Sequence, residues 1–180
     1  MPWIELVPPD AADADLAALY GRARNADGTL DGVMHVHGLR PSSLRAHLDL
    51  YLQVMRGESG LSETEREMVA VVVSRLNGCE YCLRHHTANL KALLPQSSAD
   101  VADKLATGRV VRLQDRFAAI IAYARKLTTN PHDMDADDVD ALRRAGLDDR
   151  TILDLAQCVS YFGYANRIVR GLGVTAADDA

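Results

Sequence analysis

Two cysteines and a histidine stand at spacings that suit thiol redox chemistry. Cys79 and Cys82 are three positions apart, and His86 follows Cys82 by four. A thiol reacts as its thiolate, and a cysteine at a helix N-terminus beside an imidazole is expected to have a lowered pKa. Residues four apart share a helix face, which places Cys82 beside His86. We therefore predict that Cys82 is the attacking thiol and that its pKa is lowered.

Cys79 is suited to the role of a resolving cysteine. Inside a regular helix, Cβ atoms three residues apart are about 5 to 6 Å apart, farther than the roughly 3.8 Å that a disulfide prefers. Cys79 directly follows Gly78, which is predicted to end the preceding helix, so its backbone need not be helical. Its sulfur can then swing over Cys82 and condense with a sulfenic acid there before further oxidation occurs.

Glu67 is a candidate proton carrier. It lies on the same stripe of its predicted helix as Val71 and Ser74, partly among apolar neighbours. A glutamate in such surroundings can exchange protons near neutral pH. If the chain folds back at Gly78, Glu67 faces His86 and can pass a proton through it to the leaving oxygen of a peroxide. The alternative is a surface carboxylate that is solvated or paired with a cation.

The cysteine pair has other interpretations. Buried free cysteines without chemistry are common in protein cores. Structural zinc requires four ligands, and the sequence has no second Cys-x-x-Cys, so we predict neither a metal nor a cofactor. No βαβ pattern surrounds the motif, which disfavours a thioredoxin-like site.

Several other polar residues are weaker candidates. His35 and His37 could bind a metal, but a histidine pair in a loop is typically solvent-exposed. His85 is expected to point into solvent. Asn166 and Arg167 interrupt an otherwise apolar helix, which predicts a polar contact at a subunit interface.

The elements that carry these residues are predicted to be helices, and the class is all-α. Helical patterns recur along the chain, and no alternating pattern is long enough for a strand. Ser62 and Glu65 form a capping box that begins the helix bearing Glu67, and Asn77-Gly78 ends it. The next helix carries the cysteines and stops at Pro95. Other helices are expected near 10–23, 41–56, 98–106, 117–127, 135–145 and 148–170, with a loop over 28–38; Cys158 of the last helix is expected to pack in the core.

Composition limits the possible partners. A chain of 180 residues can bury a core without cross-links, and its net charge of −5, with acidic residues spread along it, gives no stripe for nucleic acid. No segment approaches the roughly twenty apolar residues of a membrane span, and the N-terminus lacks a signal-peptide pattern. We expect a cytoplasmic protein without membrane association. Apolar residues on several faces of many helices predict a homo-oligomer.

The pattern of Glu67, eleven residues, Cys79-x-x-Cys82 and then His86 resembles the alkylhydroperoxidase D (AhpD) and carboxymuconolactone decarboxylase family. The similarity covers about Pro41 to Val174. Other segments most resemble its peroxidase-related branch: Leu61-Ser62, Arg66-Glu67, Asn77-Gly78, Asn166-Arg167 and Gly171-Leu172-Gly173.

This resemblance implies an AhpD-like helical bundle in one domain, 1–180, with an N-terminal helix and loop at 1–40 and a core at 41–174. It implies trimers or hexamers and a hydroperoxide reductase in which Cys82 is peroxidatic and Cys79 resolving. Glu67 and His86 would form the proton relay. The partners would be a hydroperoxide and a reductant of the dithiol, thioredoxin or lipoyl type.

One position departs from the family pattern. AhpD itself has a histidine where this chain has Tyr81, and a tyrosine can hydrogen-bond but does not titrate near pH 7. Tyr81 is therefore expected to support the site rather than carry protons. Two other functions stay open: a redox-sensing or disulfide-exchange protein, and a decarboxylase of a lactone acid. The decarboxylase branch works without a redox cysteine pair, and the intact pair here argues against that function.

Overall fold

The structure is a computed structural model that describes residues 1–98, 100–109 and 112–180. Within these residues it is helical and has no β-strand, which confirms the predicted all-α class. Position 99, in the helix predicted over 98–106, lies outside the described residues. No described helix is both long and apolar enough to cross a lipid bilayer. The α-helices are α1 (Ala14–Ala23), α2 (Gly32–His35), α3 (Pro41–Arg56), α4 (Glu63–Leu76), α5 (Glu80–Leu93), α6 (Asp100–Thr107), α7 (Asp115–Thr129), α8 (Ala136–Arg144) and α9 (Asp149–Leu172).

Helix α4 is the centre of the fold. It packs against α5, α6, α7 and α9, and every residue from Glu65 to Ser74 is buried. The predicted capping box begins this helix. The Ser62 hydroxyl accepts a hydrogen bond from the Glu65 amide at 3.2 Å, and the Glu65 carboxylate accepts one from the Ser62 amide at 2.7 Å. Because its neighbours surround it, α4 carries its polar side chains into the interior.

The chain reverses between α4 and α5 at Asn77-Gly78, as predicted. Gly78 has a φ of 65°, in the left-handed region that favours glycine. The amide of Cys79 then donates to the Ser74 carbonyl at 2.9 Å. Cys79 is the N-cap of α5 and has an extended backbone, with φ −89° and ψ 90°. The prediction that Cys79 is not helical is therefore confirmed.

Helix α9 closes the largest part of the core. The Asp148 side chain accepts a hydrogen bond from the Thr151 amide at its start, and the helix continues to Leu172, two residues beyond the predicted end at position 170. Gly173 rather than Gly171 adopts the left-handed conformation that ends the helix. Cys158 is fully buried in this core, and burial raises its pKa to about 12. Its predicted packing role is confirmed.

The predicted exposure of His35 and His37 is wrong. The segment expected to be a loop contains α2 and a 3-10 turn, and both histidines are buried there. A His35 ring nitrogen lies 3.0 Å from the Val7 carbonyl, and one of His37 lies 2.7 Å from the Val33 carbonyl. Within the residues that the structure describes, no three His, Cys, Asp or Glu side chains converge as they would around a metal ion.

His37 forms a buried stack with His47 of α3. The two rings lie 4.4 Å apart, and His47 Nε2 is 3.2 Å from the hydroxyl of Tyr161 in α9. Burial, together with the neighbouring His37, lowers the pKa of His47 to about 3. Both histidines are therefore neutral at pH 7 in the folded protein, since burial also lowers the pKa of His37.

We expect the stack to make the fold sensitive to acid. A histidine of the unfolded chain has a pKa of about 6.5. Below that pH, His47 is therefore protonated in the unfolded state but still neutral in the folded protein. The free energy of unfolding should fall by about 2 kcal/mol between pH 7 and pH 5 through His47 alone. Urea unfolding at the two pH values, at one protein concentration, measures this loss.

Replacing His47 removes its contribution to the pH dependence. His47→Gln should lose less stability than the wild type between pH 7 and pH 5, whatever its stability at pH 7. His132→Gln is the matched control, because the His132 side chain is 74% exposed. Equal pH dependence in wild type and His47→Gln would contradict the prediction.

Candidate functional site

Cys79 and Cys82 form a close pair at the start of α5. Both are free thiols and both are buried, and their sulfur atoms lie 3.0 Å apart. A disulfide bond is about 2.05 Å long, so a small movement would suffice to join them. The extended backbone at Cys79 permits this approach, because two cysteines inside a regular helix would be held apart.

The two thiols share one hydrogen bond, and this bond separates their pKa values. The bond to Cys82, together with the smaller effect of the Arg170 guanidinium, lowers the pKa of Cys79 to about 7. The same bond raises the pKa of Cys82, and burial adds to the increase. When Cys79 is the thiolate, the Cys82 S–H donates to it. The prediction of a lowered pKa at Cys82 is therefore wrong, because the hydrogen bond between the thiols stabilises the charge on Cys79 instead.

Glu67 and His86 are in direct contact, as the sequence predicts. Glu67 projects from α4 and His86 from α5, and His86 Nδ1 lies 2.7 Å from a carboxylate oxygen of Glu67. Glu67 is only 3% exposed, and the Asn89 amide donates to its other oxygen at 3.4 Å. A carboxylate accepts hydrogen bonds, so Nδ1–H of His86 donates to Glu67, and Nε2 is the ring nitrogen that can exchange a proton with a bound molecule.

A cavity of about 560 Å³ connects the thiol to the imidazole. Cys82 and His86 both line it, whereas Cys79 is not among its described lining residues. Its wall includes an aromatic group, namely Tyr51, Tyr161 and Phe162, and an acidic group, namely Asp27, Asp31 and Asp179. The His86 ring packs edge-on against Phe162, with centroids 4.7 Å apart, which restricts the orientation of the imidazole. A volume of this size accommodates a small organic molecule.

Cys79 lines a separate groove of about 400 Å³. Trp3, Arg170 and Gly173 contribute to the same groove, and the Trp3 amide donates to the Leu172 carbonyl at 2.8 Å. The two sulfurs of the pair are thus reached from different depressions of the molecular surface.

Tyr81 does not bind either cysteine through its hydroxyl. The hydroxyl donates to Asp179 at 2.7 Å, and the Gly32 amide donates to the same carboxylate oxygen at 2.8 Å. His85 Nε2 lies 3.2 Å from the other oxygen of Asp179, so the expectation that His85 points into solvent is wrong. Both residues hold the segment Thr175–Ala180 beside the cavity. No sequence signal links Tyr81 to a partner 98 positions away.

Asn166 is a residue of the site that the sequence analysis placed elsewhere. Its side chain is 0% exposed, so the expected position at a subunit interface is wrong. The amide nitrogen of Asn166 donates to the Ser74 hydroxyl at 3.1 Å, and its oxygen accepts from the Asn77 amide at 2.9 Å. A signal was present in the sequence, because a lone amide on an apolar helix face must find polar partners when it is buried.

The fold and part of the sequence match known proteins. Residues 41–126 match the carboxymuconolactone decarboxylase family. An uncharacterized peroxidase-related protein from Silicibacter sp. TM1040 is 30% identical, with 93% of this chain and 87% of that chain covered and a TM-score of 0.83. An uncharacterized peroxidase-related protein from Ralstonia eutropha JMP134, described as an alkylhydroperoxidase AhpD core, is 26% identical, with 96% and 90% covered and a TM-score of 0.86.

A more distant match shows the fold alone. The debrominase Bmp8, in a complex with 2,3,4-tribromopyrrole, is 18% identical, with 99% of this chain and 96% of that chain covered and a TM-score of 0.78. No curated protein sequence matches this one. The identity and coverage of the Silicibacter protein, together with the family match over the segment that holds the site, decide the assignment. The chain belongs to the carboxymuconolactone decarboxylase family and is an AhpD-like member of it.

Proposed function

We propose that the protein is a thiol-dependent peroxidase that reduces hydroperoxides through Cys82 and Cys79. The observation that carries this proposal is the shared cavity of Cys82 and His86, with His86 held 2.7 Å from a buried glutamate. A thiol, an imidazole and a carboxylate in this order supply a nucleophile, a proton donor and a group that orients the donor. Membership of an AhpD-like family supports the same reaction class.

The first step forms a sulfenic acid on Cys82. Cys82 passes its proton to the Cys79 thiolate 3.0 Å away and attacks the terminal oxygen of the hydroperoxide. The O–O bond breaks, and the alkoxide that leaves takes a proton from His86 and becomes the alcohol. Cys82 is oxidised by two electrons as the peroxide is reduced. The Glu67 carboxylate accepts the hydrogen bond of His86 Nδ1 and so orients the ring for this transfer. The proton released when the disulfide is later reduced returns to His86.

The second step forms the disulfide and releases water. The Cys79 sulfur attacks the Cys82 sulfenic acid, and the hydroxide that leaves takes the proton that Cys79 received in the first step. A dithiol reductant, of the thioredoxin or lipoyl type, then reduces the disulfide and is itself oxidised to a disulfide. The lowered pKa of Cys79 favours this exchange when the reductant attacks Cys82, because a more acidic thiol leaves faster.

The proposal extends to organisation and location. We treat residues 1–180 as one domain, with an N-terminal helix and loop at 1–40 and the core at 41–174. A pair that must be returned to thiols suits a reducing compartment, which supports a cytoplasmic location. Large apolar side chains stand exposed on the described surface and support a homo-oligomer, a trimer or a hexamer: Trp3, Leu39, Leu50, Leu153 and Tyr164.

A redox sensor is the second candidate. Tyr81 lies between the two cysteines in sequence and holds Asp179, so disulfide formation could move the segment Thr175–Ala180. A turnover assay over several hydroperoxides with a dithiol reductant separates the two functions. Steady consumption of peroxide supports the enzyme, whereas one oxidation event per chain without turnover supports the sensor.

Replacement of each cysteine should have a different effect on the reaction with peroxide. Cys82→Ser should abolish reaction with peroxide, because the nucleophile in the cavity is lost. Cys79→Ser should still consume about one equivalent and accumulate a sulfenic acid on Cys82, since the resolving thiol is absent. Mass spectrometry of the trapped sulfenic acid locates the oxidised sulfur.

The control for the cysteine variants is Cys158→Ala, which removes the remaining thiol of the chain and should turn over like the wild type. First oxidation on Cys79 at the wild-type rate in Cys82→Ser would reverse the assignment of the two roles.

Glu67 and His86 should act as one unit. Glu67→Gln keeps the size of the side chain and one oxygen that can accept from His86 but removes its charge, and we expect turnover to fall on the order of a hundredfold. His86→Asn should cost a similar factor, and the double variant should lose little more than either single one. Glu58→Gln, a change at an exposed carboxylate, is the control for charge alone. Additive losses in the double variant would show that the two residues work independently.

The protein should be an oligomer in solution. Light scattering at micromolar concentration should give a multiple of the 19.6 kDa chain mass, with three or six copies expected. A mass of one chain at that concentration would contradict the assembly.

A further inference from the structure

We propose that the buried amide of Asn166 donates a hydrogen bond to the cysteine pair and holds its thiolate ready for reaction, an inference that rests on the function proposed above. The side chain of Asn166 has more hydrogen-bond donors than it has partners away from sulfur. An asparagine has one carbonyl oxygen and two N–H donors. In a side chain that is 0% exposed, each donor needs a partner in the protein.

Two of the three hydrogen-bonding groups of the Asn166 side chain, the oxygen and one N–H, have partners other than the cysteines. Its oxygen accepts from the Asn77 amide at 2.9 Å, which also fixes which end of the amide is nitrogen. One N–H donates to the Ser74 hydroxyl at 3.1 Å. One N–H remains, and both sulfurs of the pair lie within hydrogen-bond reach of this side chain. We therefore assign the cysteine pair as the partner of the remaining donor.

The partners of Asn166 are part of the same structural unit as the thiols. Ser74 and Asn77 belong to the end of α4, where the Ser74 carbonyl also accepts from the Cys79 amide at 2.9 Å. One residue of α9 thus contacts the end of α4 and the start of α5 at the point where the chain reverses. Burial of an amide costs free energy that an apolar side chain in the same space would avoid. This cost suggests that the amide has a role in the chemistry of the thiols.

Hydrogen bonds to a thiolate stabilise the charged form, and the amide bond should extend the pH range in which the pair reacts. Loss of the donor should raise the pH at which the pair becomes reactive. Other charged or titratable groups surround the pair and stay in place in this test: Arg170 and Tyr161 of α9, Tyr81 and His86 of α5, and Glu67 of α4.

The experiment measures thiol reactivity as a function of pH in a Cys158→Ala background. Iodoacetamide alkylation of the reduced pair, followed by mass spectrometry, gives an apparent pKa that a purely structural role would not move. Asn166→Leu should shift the apparent pKa upward by about one unit and slow the reaction with cumene hydroperoxide about fivefold at pH 7. Raising the pH should restore most of the lost rate.

Asn166→Asp is the second variant and decides the case if the leucine variant does not fold. It keeps the oxygen that Asn77 binds but places a negative carboxylate near the sulfurs. The apparent pKa of alkylation should therefore rise at least as much as in Asn166→Leu. Gln157→Leu, the loss of an amide elsewhere on α9, should leave the profile unchanged. A wild-type profile in folded Asn166→Asp or Asn166→Leu would overturn the inference.

The same series distinguishes failure of the inference from failure of the proposed function. If wild-type protein does not turn over hydroperoxide with a dithiol, the proposed function fails, and the inference built on it fails with it. If wild type turns over and the Asn166 variants do so with an unshifted pH profile, the inference alone fails.

Discussion

The reversal of the chain at Asn77-Gly78 is the constraint on which the site depends. Because Gly78 adopts a left-handed conformation, α5 runs back along α4, and a glutamate from one helix meets a histidine from the other. The same turn leaves Cys79 outside the regular helix, which lets the two sulfurs approach within 3.0 Å. A regular helix through this point would separate both pairs of groups, so one backbone angle supports the contacts needed for proton transfer and disulfide formation together.

The local part of this arrangement could be predicted from the sequence. The capping box at Ser62 and the glycine after Asn77 define α4, and the spacing from Cys82 to His86 predicts their shared face. These predictions succeeded because each depends on residues within one turn of helix or one short loop. The contact of Glu67 with His86 followed from the reversal alone.

The electrostatics of the site could not be predicted in this way. The pKa of Cys79 depends on Arg170 and Asn166, two residues of one helix that lie more than eighty positions along the chain. His35 and His37 were expected in solvent because the sequence does not show that Val7 and Val33 offer carbonyls to them. Tyr81 had an evident position but no evident partner. In each case the residue that sets the pKa or the hydrogen bond comes from a distant segment of the chain. The polarity of a residue does not reveal which distant residue will contact it.

The groove beside Cys79 also has an optical consequence. Trp3 is the single tryptophan of the chain, and its indole lies in the same groove as Cys79, against Gly173. Conversion of that sulfur from thiolate to disulfide changes the charge and polarisability of the groove that also holds the dominant fluorophore of the protein. The emission of the native protein should therefore respond to the redox state of the cysteine pair, without a label and without a coupled reductant.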